Sequence, residues 1–205
     1  MKLTHTRDVI NKLVPKYIKG KTLDIGGGTS KYRSIITPYV SEYLVSDLYP
    51  VQKIDFIEDA RKLSHKDKTF DSILSFQVLE HIDDTKAVVK EMYRVLKYDG
   101  IAMVTVPFLC AQHGHPSDFH RFTVDGLRWY FEQEGFKVIE VGKQGSSFAV
   151  ISELFRFAFL NPYKNHGRIK TAILTRIIKG LTKLDKCEIL QNENIYGNVY
   201  IVAQK

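Results

Sequence analysis

The chain has 205 residues, 44% of them hydrophobic, with a formal net charge of +7 and two cysteines, Cys110 and Cys187. That is apolar material for one domain with a substantial core, and too little cysteine for a disulfide framework or a cysteine metal site. No apolar run reaches the roughly 18 to 20 residues of a membrane-spanning helix, and Met1-Lys2-Leu3-Thr4-His5 opens without the apolar stretch of a secretory signal, so a protein of the reducing cytoplasm is expected.

Taken in chain order, the sequence predicts a helix over about His5 to Ile18 and a strand near Thr22. Leu23-Asp24-Ile25-Gly26-Gly27-Gly28-Thr29-Ser30-Lys31 reads as a buried strand running into a glycine turn. Consecutive glycines take positive φ and carry no Cβ, so backbone N–H groups can close on a nucleotide-like ligand. The turn is not a dinucleotide fingerprint, which needs G-x-G-x-x-G and meets Lys31 at its third glycine position. Nor is it a P-loop, since no G-x-x-x-x-G-K-[ST] spacing follows Gly26. What remains is D-x-G-x-G, an acidic residue near the strand end followed by glycines.

A second strand, Tyr43 to Asp47, ends in a carboxylate about 20 residues past the glycines, the position from which an acidic side chain accepts hydrogen bonds from ribose hydroxyls. A third strand is expected near Ile54, leading into Phe56-Ile57-Glu58-Asp59-Ala60. Phe70 to Phe76 is short, apolar and flanked by polar residues, which favours a strand over a helix. Glu91 to Gly100 reads as a helix with a glycine stop, feeding an apolar strand from Ile101 to Val106. Further strands are expected near Lys137 and at Asn198 to Ala203, and this alternation argues a doubly wound α/β sheet.

The D-x-G-x-G loop, the acidic end of the second strand, the Glu58-Asp59-Ala60 segment, and Phe70-Asp71-Ser72-Ile73-Leu74-Ser75-Phe76-Gln77-Val78-Leu79-Glu80-His81-Ile82 together resemble the successive motifs of class I S-adenosylmethionine-dependent methyltransferases, over roughly Lys21 to Pro107. Ser30 stands where that family has a third glycine. The resemblance implies a single Rossmann-like domain over 1–205 with a seven-stranded, mostly parallel sheet, its last strand antiparallel beside the sixth, and a helical insertion or lid at about 143–190. It implies S-adenosylmethionine as cofactor. The residues it assigns to the cofactor are Asp24, Gly26, Gly27 and Gly28 for the methionine part, Asp47 and Leu48 for the ribose side, Asp59 and Ala60 for adenine, and Phe76, Gln77 and His81 beyond the fourth strand.

Past the fifth strand, imidazoles and aromatics concentrate in Val106 to Thr123. Ligands of open α/β sheets sit beyond the carboxyl ends of the strands, so this loop is expected to face the acceptor. His113, His115 and His120 are candidate general bases, because neutral imidazole takes a proton near pH 7, and Asp118 and Arg121 are candidates for positioning the acceptor. His81 is a further candidate. The sequence does not choose among them, and Asp118 and Arg121 also suit a loop-fixing ion pair. No metal is expected, since neighbouring His and Asp commonly bond each other and Arg121 disfavours a divalent ion. The pattern H-x-x-P-x-D-F-x-R-F-T resembles a subgroup of these methyltransferases found alongside genes for polysaccharide assembly, which implies a small polar or glycan-type acceptor methylated on oxygen.

The segment 161–190 supplies +5 of the net charge. Arg168 to Leu184 has helical spacing, with Ile169, Ile173, Ile177, Leu181 and Leu184 on one side and Arg176, Lys179 and Lys183 toward another. It is read as a lid packed on its own domain, with 148–184 as a surface for peripheral contact with an anionic membrane as the alternative. Two other functions stand beside the leading one: an RNA methyltransferase, suggested by the basic charge but without a base-stacking platform, and a non-catalytic module that binds S-adenosylmethionine or the membrane periphery.

Overall fold

The computed structural model describes residues 3–113, 117–160, 167–184 and 192–205. Its strands are β1 (Lys21–Ile25), β2 (Glu42–Asp47), β3 (Phe56–Ile57), β4 (Phe70–Phe76), β5 (Leu96–Pro107), β6 (Lys137–Gln144) and β7 (Asn198–Gln204). The helices are α1 (Thr6–Tyr17), α2 (Arg33–Ile36), α3 (Thr85–Val95), α4 (Val124–Gln133), α5 (Ser147–Phe159) and α6 (Arg168–Leu184).

The strands form one sheet in the order β3-β2-β1-β4-β5-β7-β6. β7 pairs antiparallel with both β5 and β6, while β1 pairs parallel with β2 and with β4. This is the Rossmann-like, doubly wound sheet that the motif order implies. β4 and β5 are buried on both faces, as central strands covered by helices must be. Their side chains therefore alternate between two cores: Ile73 packs with Leu23, Met92 and Phe131, whereas Leu74 packs with Val9, Leu13, Val45 and Met103. Local chemistry starts the helices. Asp84 accepts from Ala87 N at 3.0 Å to open α3, and Thr123 accepts from Gly126 N at 3.0 Å to open α4.

Two elements differ from the sequence reading. The third strand is the pair Phe56–Ile57, two residues past the position expected near Ile54 and at the head of the Phe56–Ala60 segment. The helix expected over Glu91 to Gly100 stops at Val95, because Leu96 is recruited as the strand partner of Phe70 and Asp99 turns the chain with φ of 60°. Gly100 fits there since a Cβ would meet Leu96 Cδ2 and the Lys97 carbonyl, each at 2.9 Å.

The chain winds to opposite sides of β1, with β2 on one flank and β4 on the other. The crevice beyond the carboxyl ends of these strands is where such sheets bind ligands. Between β6 and β7 the chain forms α5 and α6, which pack against each other. Among the described residues, no helix is long and apolar enough to cross a membrane.

Candidate active site

The glycine turn leaves β1 with φ of 68° at Gly26 and 52° at Gly28. A Cβ at Gly26 would lie 2.6 Å from both methyl carbons of Val78, so the residue must be glycine for the β1 and β4 ends to meet. A Cβ at Gly28 would approach no heavy atom closer than Asp47 Oδ2, at 4.0 Å, so the turn keeps open space next to that carboxylate. Ser30, at the family's third glycine position, also takes a left-handed backbone, with φ of 55°. The substitution keeps the conformation at the steric cost that a Cβ brings there.

Beyond the turn lies a cavity of about 390 Å³. Of the residues assigned to the cofactor, Gly26, Asp47, Leu48, Asp59, Ala60, Gln77 and His81 line it, together with Tyr49, Glu58, Arg61 and Phe119. Asp47 ends β2, lines the cavity and accepts from Gly28 N at 3.1 Å and Tyr49 N at 3.2 Å, which fixes its carboxylate with lone pairs to spare. Asp59 is held by Arg61, whose guanidinium reaches it at 2.7 Å and also binds Asp83 at 2.7 Å. That arginine keeps the Asp59 carboxyl below its ordinary pKa. Gln77 sits at φ of 60°, pinned by its N–H to Thr105 O at 2.8 Å and its Nε2 to Thr105 Oγ1 at 3.2 Å.

Asp24, Gly27, Gly28 and Phe76 are not on the cavity wall. Phe76 packs edge-on against Tyr32, with ring centroids 5.7 Å apart. Asp24 is buried behind the turn, where one oxygen accepts from the Tyr43 hydroxyl and the other has no hydrogen-bond partner. Burial pushes its pKa up to about 7, against the Tyr43 hydrogen bond and Arg33, which pull it down. A Cβ at Gly27 would sit 3.0 Å from Asp24 Oδ2, so Asp24 supports the turn from beneath.

From the loop after β5, Phe119 lines the cavity. The loop backbone docks on β4's exit, with Phe119 N and His120 N donating to the Glu80 carbonyl at 2.7 and 3.3 Å. Asp118 and Arg121 form a two-pronged ion pair, and Arg121 also binds the carbonyls of Ala111 and His120 at 3.1 and 2.7 Å. Arg121 holds the Asp118 carboxyl down at about 2. These two residues fasten the loop to itself. Neither His113 nor His120 lines the cavity: the His113 N–H donates to Asp118 Oδ2 at 2.8 Å, and His120 donates Nε2–H at 3.1 Å to the carbonyl of Asp83, which does line it. His115 lies outside the described residues.

His81 is the histidine on the cavity wall. Its Nδ1 stands 2.7 Å from Ser117 O, and a carbonyl only accepts, so Nδ1 carries the hydrogen and Nε2 the lone pair in the neutral ring. Next to it is a residue that the sequence reading did not single out. Glu80 is fully buried, neither carboxylate oxygen has a hydrogen-bond partner, and Oε1 is 3.8 Å from His81 Nε2. Burial raises its pKa to about 7 against the nearby Arg121 charge. The signal that could have found it was a lone carboxylate inside the apolar run Val78-Leu79-Glu80-His81-Ile82, whose chain direction buries the acid. Glu80, His81 and His113 hold ligand-type atoms within 4.8 Å of one another and form the one group among the described residues that could take a metal ion. Both of its histidines were candidates in the sequence and Glu80 was not, and Arg121 already brings a positive charge to the group.

Residues 23–104 match a family model described as a methyltransferase domain. A search of curated proteins gives no match. Solved structures with this fold include the 4+2 cyclase SpnF, 19% identical, covering 96% of this chain and 80% of that one with a TM-score of 0.62. A putative methyltransferase from Bacillus halodurans C-125 is 16% identical, with 96% and 97% covered and a TM-score of 0.62. Phosphoethanolamine N-methyltransferase 2 of Haemonchus contortus, solved with S-adenosylmethionine, is 16% identical over 93% of this chain and 50% of its own, with a TM-score of 0.58. At such identities the likeness is one of fold, and a cyclase among them shows that the fold hosts more than one chemistry.

Proposed function

We propose that this chain, whose residues 23–104 match a methyltransferase-domain model and whose fold is shared with such enzymes, is a class I S-adenosylmethionine-dependent methyltransferase, that its acceptor is a small-molecule or glycan-type hydroxyl compound and that His81 receives its proton. The cofactor is S-adenosylmethionine, which supplies an electrophilic methyl group on a sulfonium. The cavity suits it: Gly26, without a Cβ, lines it, with the Asp47 carboxylate on the ribose side and Asp59 and Ala60 where the adenine edge would lie.

The observation that carries the acceptor reading is the ring of His81. It lines the cavity with Nδ1–H committed to Ser117 O, so its Nε2 lone pair is the free proton acceptor. Forming an oxygen–carbon bond to the acceptor would break the methyl carbon–sulfur bond, leave a neutral thioether and release the hydroxyl proton, which His81 Nε2 would accept. The imidazolium then stands 3.8 Å from Glu80 Oε1, and the carboxylate form of Glu80 stabilises it. Phe119 and Tyr49 line the same cavity and are both about half exposed, offering apolar faces to a ring-shaped acceptor. Asp118 and Arg121 keep the loop in place, so methyl transfer depends on alignment and exclusion of water more than on covalent help.

The test is labelled methyl donor offered to separated pools of saccharides, small hydroxyl compounds and RNA. Label in an alkali-stable methyl ether of a saccharide or small alcohol is expected; label in RNA or on an amine would overturn the acceptor reading. His81→Gln should lower kcat by about 10²- to 10⁴-fold while donor affinity holds, the usual worth of a general base. Asp47→Ala should instead weaken binding of the donor and its demethylated product about 10- to 100-fold by calorimetry, with little effect through His81.

A further inference from the structure

We infer that α5 and α6 form a surface that docks this protein on an anionic lipid bilayer. The inference does not depend on which atom is methylated.

In α5 the usual order of burial is inverted. Its buried residues are Ser147, Val150 and Ser152, while Ile151, Leu154 and Phe159 are exposed at 42, 43 and 49%. A helix that folds only for its own domain puts serines outward and branched apolar side chains inward, because apolar area in water is unfavourable. Glu153 and Arg156 are the only charged residues among its thirteen. α6 repeats the pattern. Among its described side chains Leu174 is the buried apolar one, whereas Ile173, Ile177 and Leu184 are 52, 44 and 41% exposed. Spaced by four and seven, these three fall within about 40° of one line along the helix. The stripe expected to pack on the domain thus faces water in large part. Large exposed apolar side chains grouped in this way on a soluble chain mark a surface made for something else.

Charge says what that something is. α6 carries Arg168, Lys170, Arg176, Lys179 and Lys183 and no aspartate or glutamate. Arg176 and Lys183 are exposed, and helical spacing sets them about 60 to 80° to one side of the Ile173 line. Apolar side chains bordered by the exposed cations Arg176 and Lys183 fit the boundary between acyl chains and acidic headgroups, where the apolar line sinks in and the basic residues meet phosphate. Spanning is not the mode, since among the described residues no helix is long and apolar enough.

Sedimentation of the full chain with phosphatidylcholine vesicles, with and without phosphatidylglycerol, tests the inference. Binding to the acidic vesicles at low salt is expected, at least tenfold stronger than to phosphatidylcholine alone. Ile173→Glu with Ile177→Glu should abolish most of it, and Arg176→Glu with Lys183→Glu should weaken it by about fivefold or more for each charge. Both pairs lie on the surface, and unchanged calorimetric affinity for the methyl donor verifies that each variant is folded. No binding to acidic vesicles, or equal binding to both kinds, overturns the inference. So does a dimer in analytical ultracentrifugation that Ile173→Glu with Ile177→Glu dissociates, which would give the face to a second copy of the chain.

Discussion

The cradle at the ends of β1, β2 and β4 and the helical pair α5–α6 handle water in opposite ways. The cradle buries charge: Asp24 and Glu80 sit in the interior with unpartnered oxygens, their pKa values raised, so that glycine backbone and His81 can face a cavity. The helical pair exposes apolar side chains and buries serines. Each arrangement opposes the ordinary sorting of side chains by polarity, and each costs free energy in the isolated fold. Such costs mark where a sequence answers to a ligand or surface as well as to its own stability. In the cradle the cost falls on a few atoms fixed by the sheet, whereas in the helices it is spread along exposed stripes.

That contrast can be broken from either side. The largest effect is expected from Gly26→Val, which forces side-chain atoms into Val78 and a β-branched residue into a left-handed backbone. A loss on the order of 3 kcal/mol in urea unfolding is expected, with donor binding undetectable. Next comes the pH dependence. The folded pKa of Glu80 stands above its unfolded value, so its ionisation destabilises the fold progressively as pH rises from about 4.5 to about 7, and the stability held below that window is lost above it. Glu80→Gln should flatten this limb by up to about 1.4 kcal/mol per pH unit, leaving the parallel contribution of Asp24. Unfolding curves taken across pH 4 to 8 measure it, and an unchanged slope would show that Glu80 is not the buried acid in play. The smallest effect belongs to the helices. Ile173→Glu should change stability by no more than about 0.5 kcal/mol, as an exposed substitution does. A loss several times larger would mean that the stripe packs on the domain after all.

Much of the fold was legible because its signals are local. Gly26-Gly27-Gly28, the strand-ending Asp47 and the apolar runs of β4 and β5 each declare a backbone conformation from neighbouring residues alone, and their order implied the parallel sheet with an antiparallel last strand. The end of α3 was not legible, because Leu96 owes its strand pairing to Phe70, 26 positions earlier, and not to helix propensity nearby. In the site, the sequence marked the loop histidines and His81 but could not say which faces the cavity. His81 does so because Ser117, from a distant loop, fixes its ring, while His120 is engaged by the Asp83 carbonyl.

The sequence by itself determined the strand–turn–strand grammar of a donor-binding sheet, since torsional freedom and apolar periodicity are properties of short segments. Only the tertiary structure decided that Glu80 is buried beside His81, that Asp118 and Arg121 clasp each other, and that the apolar line of α6 remains exposed. Burial and ionisation depend on which surfaces meet in space, and residues far apart along the chain supply those surfaces.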